Sequence, residues 1–154
     1  MPENTNTAQE EMIQQAIERF WETFPPVWDL IRAHVRSIAF EQFNISVAQF
    51  QILRLIRRGR ASVSELAEIK QISRSAISQA VDILVGRGLI IRHQNSEDRR
   101  CYKLLLTDEG SELLSNIYKQ NRVWMSEKMI SVSSDESLLI MQGLDILKRS
   151  FIEK

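Results

Sequence analysis

Apolar side chains recur along the first third of this chain with the spacing of an α-helix. The stretch extends from about Ala8 to Phe43. Proline has no amide donor and disfavours helical geometry in the residue before it, so Pro25 and Pro26 predict a kink or a short break. We therefore expect a helical N-terminal segment that is interrupted near its middle.

Two short helices are predicted next, each opened by a capping box. Ser46 can cap the first of them with Gln49 as its partner, and Ile45 with Phe50 can form the hydrophobic staple. Ser62 with Glu65 repeats the box and opens a helix through about Gln71, whose expected inward residues are Leu66, Ala67 and Ile69.

The following helix, capped by Ser73, has two different faces. Apolar residues at i, i+3, i+4, i+7 and i+8 form one buried stripe: Ile77, Ala80, Val81, Leu84 and Val85. The opposite stripe has short or amide-bearing polar residues instead of the usual lysines and glutamates: Arg74, Ser75, Ser78, Gln79 and Asp82. This second stripe is the candidate contact surface.

Two apolar runs then flank a charged turn. Gly86 and Gly88 end the helix, residues 89–94 and 101–106 are predicted strands, and NSEDRR at 95–100 is the turn between them. Two helices followed by a hairpin predict a winged helix-turn-helix.

Two more helices complete the predicted architecture. Thr107 caps one over about residues 108–130, and Ser133 with Glu136 opens another that ends near Ile152. Little of the domain is left to cover their wide apolar faces, so we expect a helix of a second chain there. The predicted fold is mainly α with a small β-hairpin wing, a winged helix-turn-helix flanked by dimerisation helices, divided into residues 1–44, 45–106 and 107–154.

Composition agrees with one globular core, since 44% of the 154 residues are hydrophobic and 26% are charged. The first residues are polar, and no run of about 18 apolar residues occurs, so neither secretion nor a membrane span is expected. The single cysteine, Cys101, cannot form an internal disulfide, which fits a cytoplasmic location.

The formal net charge is zero, but the charges are unevenly distributed. Residues 45–105 contain 11 basic and 5 acidic side chains, whereas both flanking segments are net acidic. A basic segment between acidic ends is the pattern expected where one part of a protein approaches phosphates.

A helix-turn-helix places its second helix in the major groove of DNA. Arginine can pair with guanine and glutamine with adenine, so Arg74 and Gln79 are candidates for base readout. Serines at helix starts are better placed for phosphate contacts: Ser62, Ser73, Ser75 and Ser78. The alternative for each of them is an uninvolved surface side chain.

The charged turn supplies further candidates. Arg99 and Arg100 are long cations on a ribbon, suited to the minor groove, where negative potential is focused. Asp98 can accept bonds from turn amides and from a neighbouring guanidinium, which would direct an arginine. The alternative is a turn that only meets water.

These motifs resemble those of the MarR (multiple antibiotic resistance regulator) family. Asp98-x-Arg100, followed by Leu106-Thr107-x-x-Gly110, is similar to the wing signature of the family, and residues 64–67, 73–78 and 84–90 match it in order and spacing. The resemblance implies a homodimer on a pseudo-palindromic operator of double-stranded DNA, usually a repressor released by a small molecule or an oxidant. It also implies that Arg100 enters the minor groove, Asp98 braces it, and residues 73–79 read the major groove.

The same resemblance implies an effector cleft between the dimer helices and the DNA-binding lobe. Phe24, Trp28 and His34 belong to a segment crowded with aromatic residues and are candidates for such a cleft, which would accept a small aromatic or phenolic compound. Clusters of this kind more often form a dimer core. His34 and His93 lack the spacing of metal ligands, so no metal and no cofactor is expected.

Two alternatives remain open. Cys101 could make the protein a redox-sensing regulator of the same fold, although the reactive cysteines of the family lie in the N-terminal helical region. A winged helix that contacts proteins would instead have apolar residues on its exposed stripe and no need for arginines at the wing. No nucleophile with a base, phosphate-binding glycine loop or carboxylate pair supports an enzyme.

Overall fold

The protein is represented by a computed structural model that describes residues 3–60, 62–94 and 102–153. Its elements are α1 (Glu3–Phe43), α2 (Val47–Arg57), α3 (Val63–Lys70), α4 (Arg74–Gly86), β1 (Ile90–Gln94), β2 (Tyr102–Leu106), α5 (Asp108–Lys128) and α6 (Ser134–Phe151). The strands pair antiparallel, with Ile90 opposite Leu106 and Gln94 opposite Tyr102. The predicted winged helix-turn-helix, mainly α with a small hairpin, is confirmed.

The predicted capping boxes are present. Ser46 Oγ accepts a hydrogen bond from the Gln49 amide at 3.2 Å, and the Gln49 side chain accepts one from the Ser46 amide at 2.9 Å. The same reciprocal arrangement opens α3 and α6, in the pairs Ser62 with Glu65 and Ser133 with Glu136. These bonds satisfy amides that have no partner within the helix, which is why the three helices begin at these serines.

The prediction of a break at the two prolines is wrong. α1 is one helix of 41 residues that contains both Pro25 and Pro26. The fixed φ of proline is compatible with a helix, and each proline removes only one hydrogen bond. The carbonyls that lose their partners belong to Trp21 and Glu22, both exposed, so water can take the place of the missing amides.

The chain divides into two compact units, residues 1–121 and 122–154. The core of the first unit joins the C-terminal part of α1 to the winged helix. Its most buried side chains include Ile45, Ile52, Leu53, Leu66, Ile77, Val81, Leu84, Ile90, Leu104, Leu114 and Ile117. Burial of this apolar set fastens α4 and the hairpin to the rest of the unit.

One predicted core residue is outside the core. Ile69 is 46% exposed, whereas Leu66 and Ala67 are buried as expected. The buried stripe of α3 follows positions 63, 66, 67 and 70, whose spacing of i, i+3, i+4 and i+7 defines a single helix face. Ile69 lies beside this stripe and therefore faces outward.

α5 begins in close contact with the loop between α4 and β1. Thr107 Oγ1 donates to the Gly88 carbonyl at 2.7 Å, and the Thr107 amide donates to the Leu89 carbonyl at 3.2 Å. Thr107 Oγ1 also accepts from the Gly110 amide at 3.0 Å, which confirms the predicted cap. A Cβ on Gly110 would be 2.1 Å from the Leu89 carbonyl oxygen, so this approach needs glycine.

The second unit consists of the end of α5 and of α6. None of the side chains of α6 is buried, although many are apolar; the exposed ones include Leu138, Leu139, Met141, Leu144, Ile146 and Phe151. No helix among the described residues is long and apolar enough to cross a bilayer. The division of the chain into residues 1–44, 45–106 and 107–154 by role stays a prediction.

Candidate nucleic-acid interface

The outer face of α4 has the exposure that contact with another molecule requires. Arg74, Ser75 and Gln79 are exposed on it, and Ser78 is half-buried. Among the described residues, Arg74 and Gln79 have no hydrogen-bond or ion-pair partner. Their donors and acceptors are thus not committed to other described residues and can pair with the edges of bases.

The N-terminus of α4 is also suited to an anion. Its first turn contains no acidic residue, as in α2, whereas the first turns of α3, α5 and α6 each contain at least one. Ser73 Oγ accepts from the Ala76 amide at 3.2 Å, which leaves the hydroxyl hydrogen of Ser73 available to a phosphate oxygen. The positive end of the helix dipole is therefore not neutralised from within the helix.

Ser62 has different surroundings from Ser73. Its hydroxyl accepts from the Glu65 amide at 3.2 Å and donates to Glu65 Oε2 at 3.0 Å, while the Ser62 amide donates to the same carboxylate oxygen. A phosphate at this position would compete with Glu65 for both donors. The predicted contact of Ser62 with DNA thus has less local support than that of Ser73.

An ion pair joins α4 to the hairpin. Arg92 Nη2 on β1 lies 2.5 Å from Asp82 Oδ1 on α4, and both side chains are partly exposed. Pairs of this kind add about 0–1 kcal/mol to stability, so the main effect of this one is to orient the hairpin relative to α4. Asp82 was assigned to the polar stripe from sequence, but its partner could not be identified because the two residues lie on different elements.

The proposed tip of the wing lies outside the described residues. The last described pair of the ladder is Gln94 with Tyr102, and residues 95–101 connect the two strands. Asp98, Arg99, Arg100 and Cys101 all belong to this connection, so their assigned roles stay predictions.

Sequence reasoning assigned no role to Arg87, although it belongs to a motif that resembles the family. Arg87 is the C-cap residue of α4. Its Nη1 donates to the Asn44 carbonyl at 2.7 Å and its Nη2 to the Phe43 carbonyl at 2.8 Å, both at the end of α1. Only the tertiary fold brings these residues together, because they are separated by more than 40 positions in sequence.

The candidate effector residues lie on α1 but do not form one group. The Phe24 and Trp28 rings are stacked with centroids 6.3 Å apart, and Phe20 stacks on Phe24 at 5.0 Å. His34 is half-buried and lies about 120° around the helix from Trp28. His34 therefore does not adjoin Trp28, the member of the aromatic row that is nearest to it along the helix axis. In the described part of the chain, no three His, Cys, Asp or Glu side chains are placed to hold a metal ion.

Comparisons with known proteins agree with this geometry. The MarR family model matches residues 45–102, which contain α2 through β1 and the start of β2. YhbI of Bacillus subtilis strain 168, named as a helix-turn-helix-type transcriptional regulator, is 31% identical over 63% of this chain and 68% of its own. The chain belongs to the MarR family. The resemblance recognised in the sequence motifs is thereby confirmed, and the protein is a DNA-binding transcriptional regulator of this family.

Other members extend the comparison. The transcriptional repressor MdtR of Bacillus subtilis strain 168 is 30% identical over 65% of each chain. Among solved structures, the transcriptional regulator Tm0710 of Thermotoga maritima has a TM-score of 0.76 with 24% identity and covers 87% of this chain and 92% of its own. That similarity concerns the fold of this MarR-family protein.

Proposed function

We propose that this MarR-family protein is a homodimeric repressor that binds a pseudo-palindromic operator and is released by a small-molecule effector. α4 would enter the major groove, with Arg74 and Gln79 at base edges and with Ser73, Ser75 and Ser78 toward the backbone. Arg100 would continue the contact into the minor groove, with Asp98 as its brace, and Arg99 would contact a phosphate. Ser62 would contribute a weaker backbone contact. The protein would act in the cytoplasm and would have no catalytic activity.

The observation that carries the DNA-binding surface is the outer face of α4. Its exposed arginine and glutamine have uncommitted polar groups within the described chain, and its first turn has no carboxylate. The first turns of α3, α5 and α6 contain acidic residues, whereas those of α2 and α4 do not, so the positive end of the α4 dipole is open to a phosphate.

The repressor assignment has a different basis, since MdtR is named a repressor. The experiment for the operator is selection of bound sites from random double-stranded DNA, followed by titration of the selected site and of random DNA. We expect Gln79→Ala to reduce the preference for the selected site more than it reduces binding to random DNA. Equal losses on both would make Gln79 a backbone contact.

Homodimer formation is supported by apolar side chains that the described chain leaves uncovered. They occur along α1, with Trp21 67% exposed, and along α6, with Leu144 55% exposed. Patches of this extent on soluble regulators are usually covered by a partner, and closed two-fold dimers are the commonest solution. The partner in this proposal is a second copy of the same chain.

Substitution on α6 tests the dimer. Leu144→Asp places a charge in the proposed interface and should yield the mass of a monomer in light scattering at micromolar concentration. Gln142→Asp adds the same charge to an exposed polar position of the same helix and should leave a dimer. A wild-type protein that is monomeric under these conditions would contradict the proposal.

The effector proposal is supported by the aromatic row on α1. Phe24 is 44% and Trp28 is 42% exposed, so although the rings stack on one another, part of each remains accessible to an aromatic or phenolic compound. His34 is ten residues beyond Phe24 on the same helix, so it would meet only the far end of a ligand that rests on the aromatic row. Titration of Trp fluorescence with phenolic compounds tests the idea, and DNA release must accompany any binding. Redox control through Cys101 remains an alternative that rests on sequence alone.

A further inference from the structure

The C-terminal end of α4, the proposed recognition helix, is joined to two other helices by hydrogen bonds. On one side, Arg87 bridges to the end of α1 through the Phe43 and Asn44 carbonyls. On the other side, Thr107 at the start of α5 binds the carbonyls of Gly88 and Leu89. The four residues that follow one another from Gly86 to Leu89 are thus a junction between the recognition helix, α1 and α5.

The contact with α1 has a clear electrostatic reason. α1 ends in a tight turn in which Asn44 has a φ of 49° and Ile45 donates to the Ala39 carbonyl at 2.9 Å. The last turn of α1 contains no basic residue of its own. Arg87 supplies the cation that the negative end of the α1 dipole favours, and its planar fork suits two adjacent carbonyls.

Removal of the Arg87 side chain should leave the DNA-binding lobe folded. The lobe is held by the apolar side of α4, where Ile77, Val81 and Leu84 are each at most 1% exposed. Arg87 is exposed and is not one of the side chains of the buried core cluster. Loss of the Arg87 side chain should therefore change the direction of α4 relative to α1 and leave the buried core intact.

We infer that Arg87 is a positioning residue that fixes the angle between the recognition helix and α1, and thereby the half-site spacing that the dimer accepts. This inference rests on the proposed function, in which α1 contributes to the dimer and α4 reads one half-site in each protomer. Two reading helices held at fixed angles match only one separation along the DNA. If the angle between α4 and α1 varies, the dimer can bind half-sites at several spacings with similar affinity.

The test uses full-length wild type, R87A and R87K, with R36A as control. Arg36 is an exposed arginine of α1, so R36A removes the same charge without removing the bridge. Each protein is titrated with the operator selected by the wild type, with versions lengthened or shortened by one base pair at the centre, and with random DNA. One base pair rotates one half-site by roughly a tenth of a turn relative to the other.

We expect R87A to reduce the ratio of affinities for native and altered spacing by about five- to tenfold, because two charge-assisted hydrogen bonds are lost. R87K keeps the charge without the two-pronged geometry and should fall between R87A and the wild type. R36A should keep the full ratio. Amide hydrogen exchange at Asn44 and Ile45 should become faster in R87A, which locates the loosening at the end of α1.

Three results would overturn the inference. An unchanged spacing ratio in both Arg87 variants would do so, as would a loss by the same factor on every DNA, which would make Arg87 a general charge contribution. Circular dichroism identifies a variant that does not fold. If R87A does not fold, the spacing ratio of R87K tests the inference. If neither variant folds, Arg87 is needed for stability and not for positioning. A wild type that binds random DNA as tightly as any selected site would instead refute the proposed function itself.

Discussion

Gly110→Ala should destabilise the protein because the new methyl group has no room. The Cβ would lie 2.1 Å from the Leu89 carbonyl oxygen, 3.1 Å from the Leu89 carbonyl carbon and 3.4 Å from Leu106 Cδ2. The first of these atoms is backbone, so the conflict cannot be relieved by a side-chain rotation. The start of α5 and the loop after α4 must separate by about 1 Å or more to restore van der Waals distance.

The expected magnitude follows from the contacts at this junction. Overpacking of this kind costs about 1–3 kcal/mol. Separation also weakens the two hydrogen bonds from Thr107 to Gly88 and Leu89, each worth about 1 kcal/mol. Alanine in place of glycine within a helix returns about 1 kcal/mol. With both hydrogen bonds lost, we therefore expect the free energy of unfolding to decrease by about 2–4 kcal/mol.

Urea denaturation followed by circular dichroism measures the change, at one fixed protein concentration because dimer dissociation would shift the midpoint. The matched control is Gly86→Ala, at a glycine of the same unit whose Cβ would meet nothing within 4 Å. The control should leave stability unchanged or raise it by up to about 1 kcal/mol. Equal stabilities of Gly110→Ala and the wild type would refute the argument that α5 requires this close approach.

Two further predictions concern the wing and α6. Arg100→Ala should weaken binding to the selected operator by about 1–3 kcal/mol and reduce its salt dependence, as measured by gel-shift titration at several salt concentrations; unchanged affinity and slope would contradict the wing assignment. The pKa of Glu136 should lie below its ordinary value, because its carboxylate accepts from the Ser133 amide and then from the Ser133 hydroxyl. This interaction stabilises α6 at pH values above the pKa that Glu136 has in the unfolded chain, and it is lost as the pH falls through the pKa of Glu136 in the folded protein. Ser133→Ala removes the hydroxyl but keeps the amide, so it should raise the Glu136 pKa only in part, as measured by carboxyl NMR.

Local patterns were sufficient for most of the secondary structure. The boundaries of α2, α3, α4 and α6 follow serine caps that act within three or four residues, so their signals are contained in short stretches of sequence. The hairpin was predicted from the same kind of local evidence, with its first strand one residue longer than β1 is. Two local rules led to errors, at the prolines within α1 and at Ile69.

Those errors have a common physical reason. The effect of a proline depends on whether water or another donor can reach the carbonyls that lose their helical partner. In α1 these carbonyls belong to exposed residues. Whether an apolar residue faces inward depends on where the neighbouring elements lie, and α3 packs along the stripe beside Ile69. Both facts belong to the surroundings and not to the local sequence.

The sequence by itself determined the family, the order of the elements and the polar stripe of α4, because motifs, caps and helical periodicity act over short distances. Only the tertiary structure decided which long-range contacts those elements make. Arg87 reaches the end of α1, Arg92 pairs with Asp82, and Gly110 approaches Leu89 because packing of the apolar core brings distant segments together. Contacts of this kind leave no periodic signal in sequence, since each depends on the relative placement of two elements.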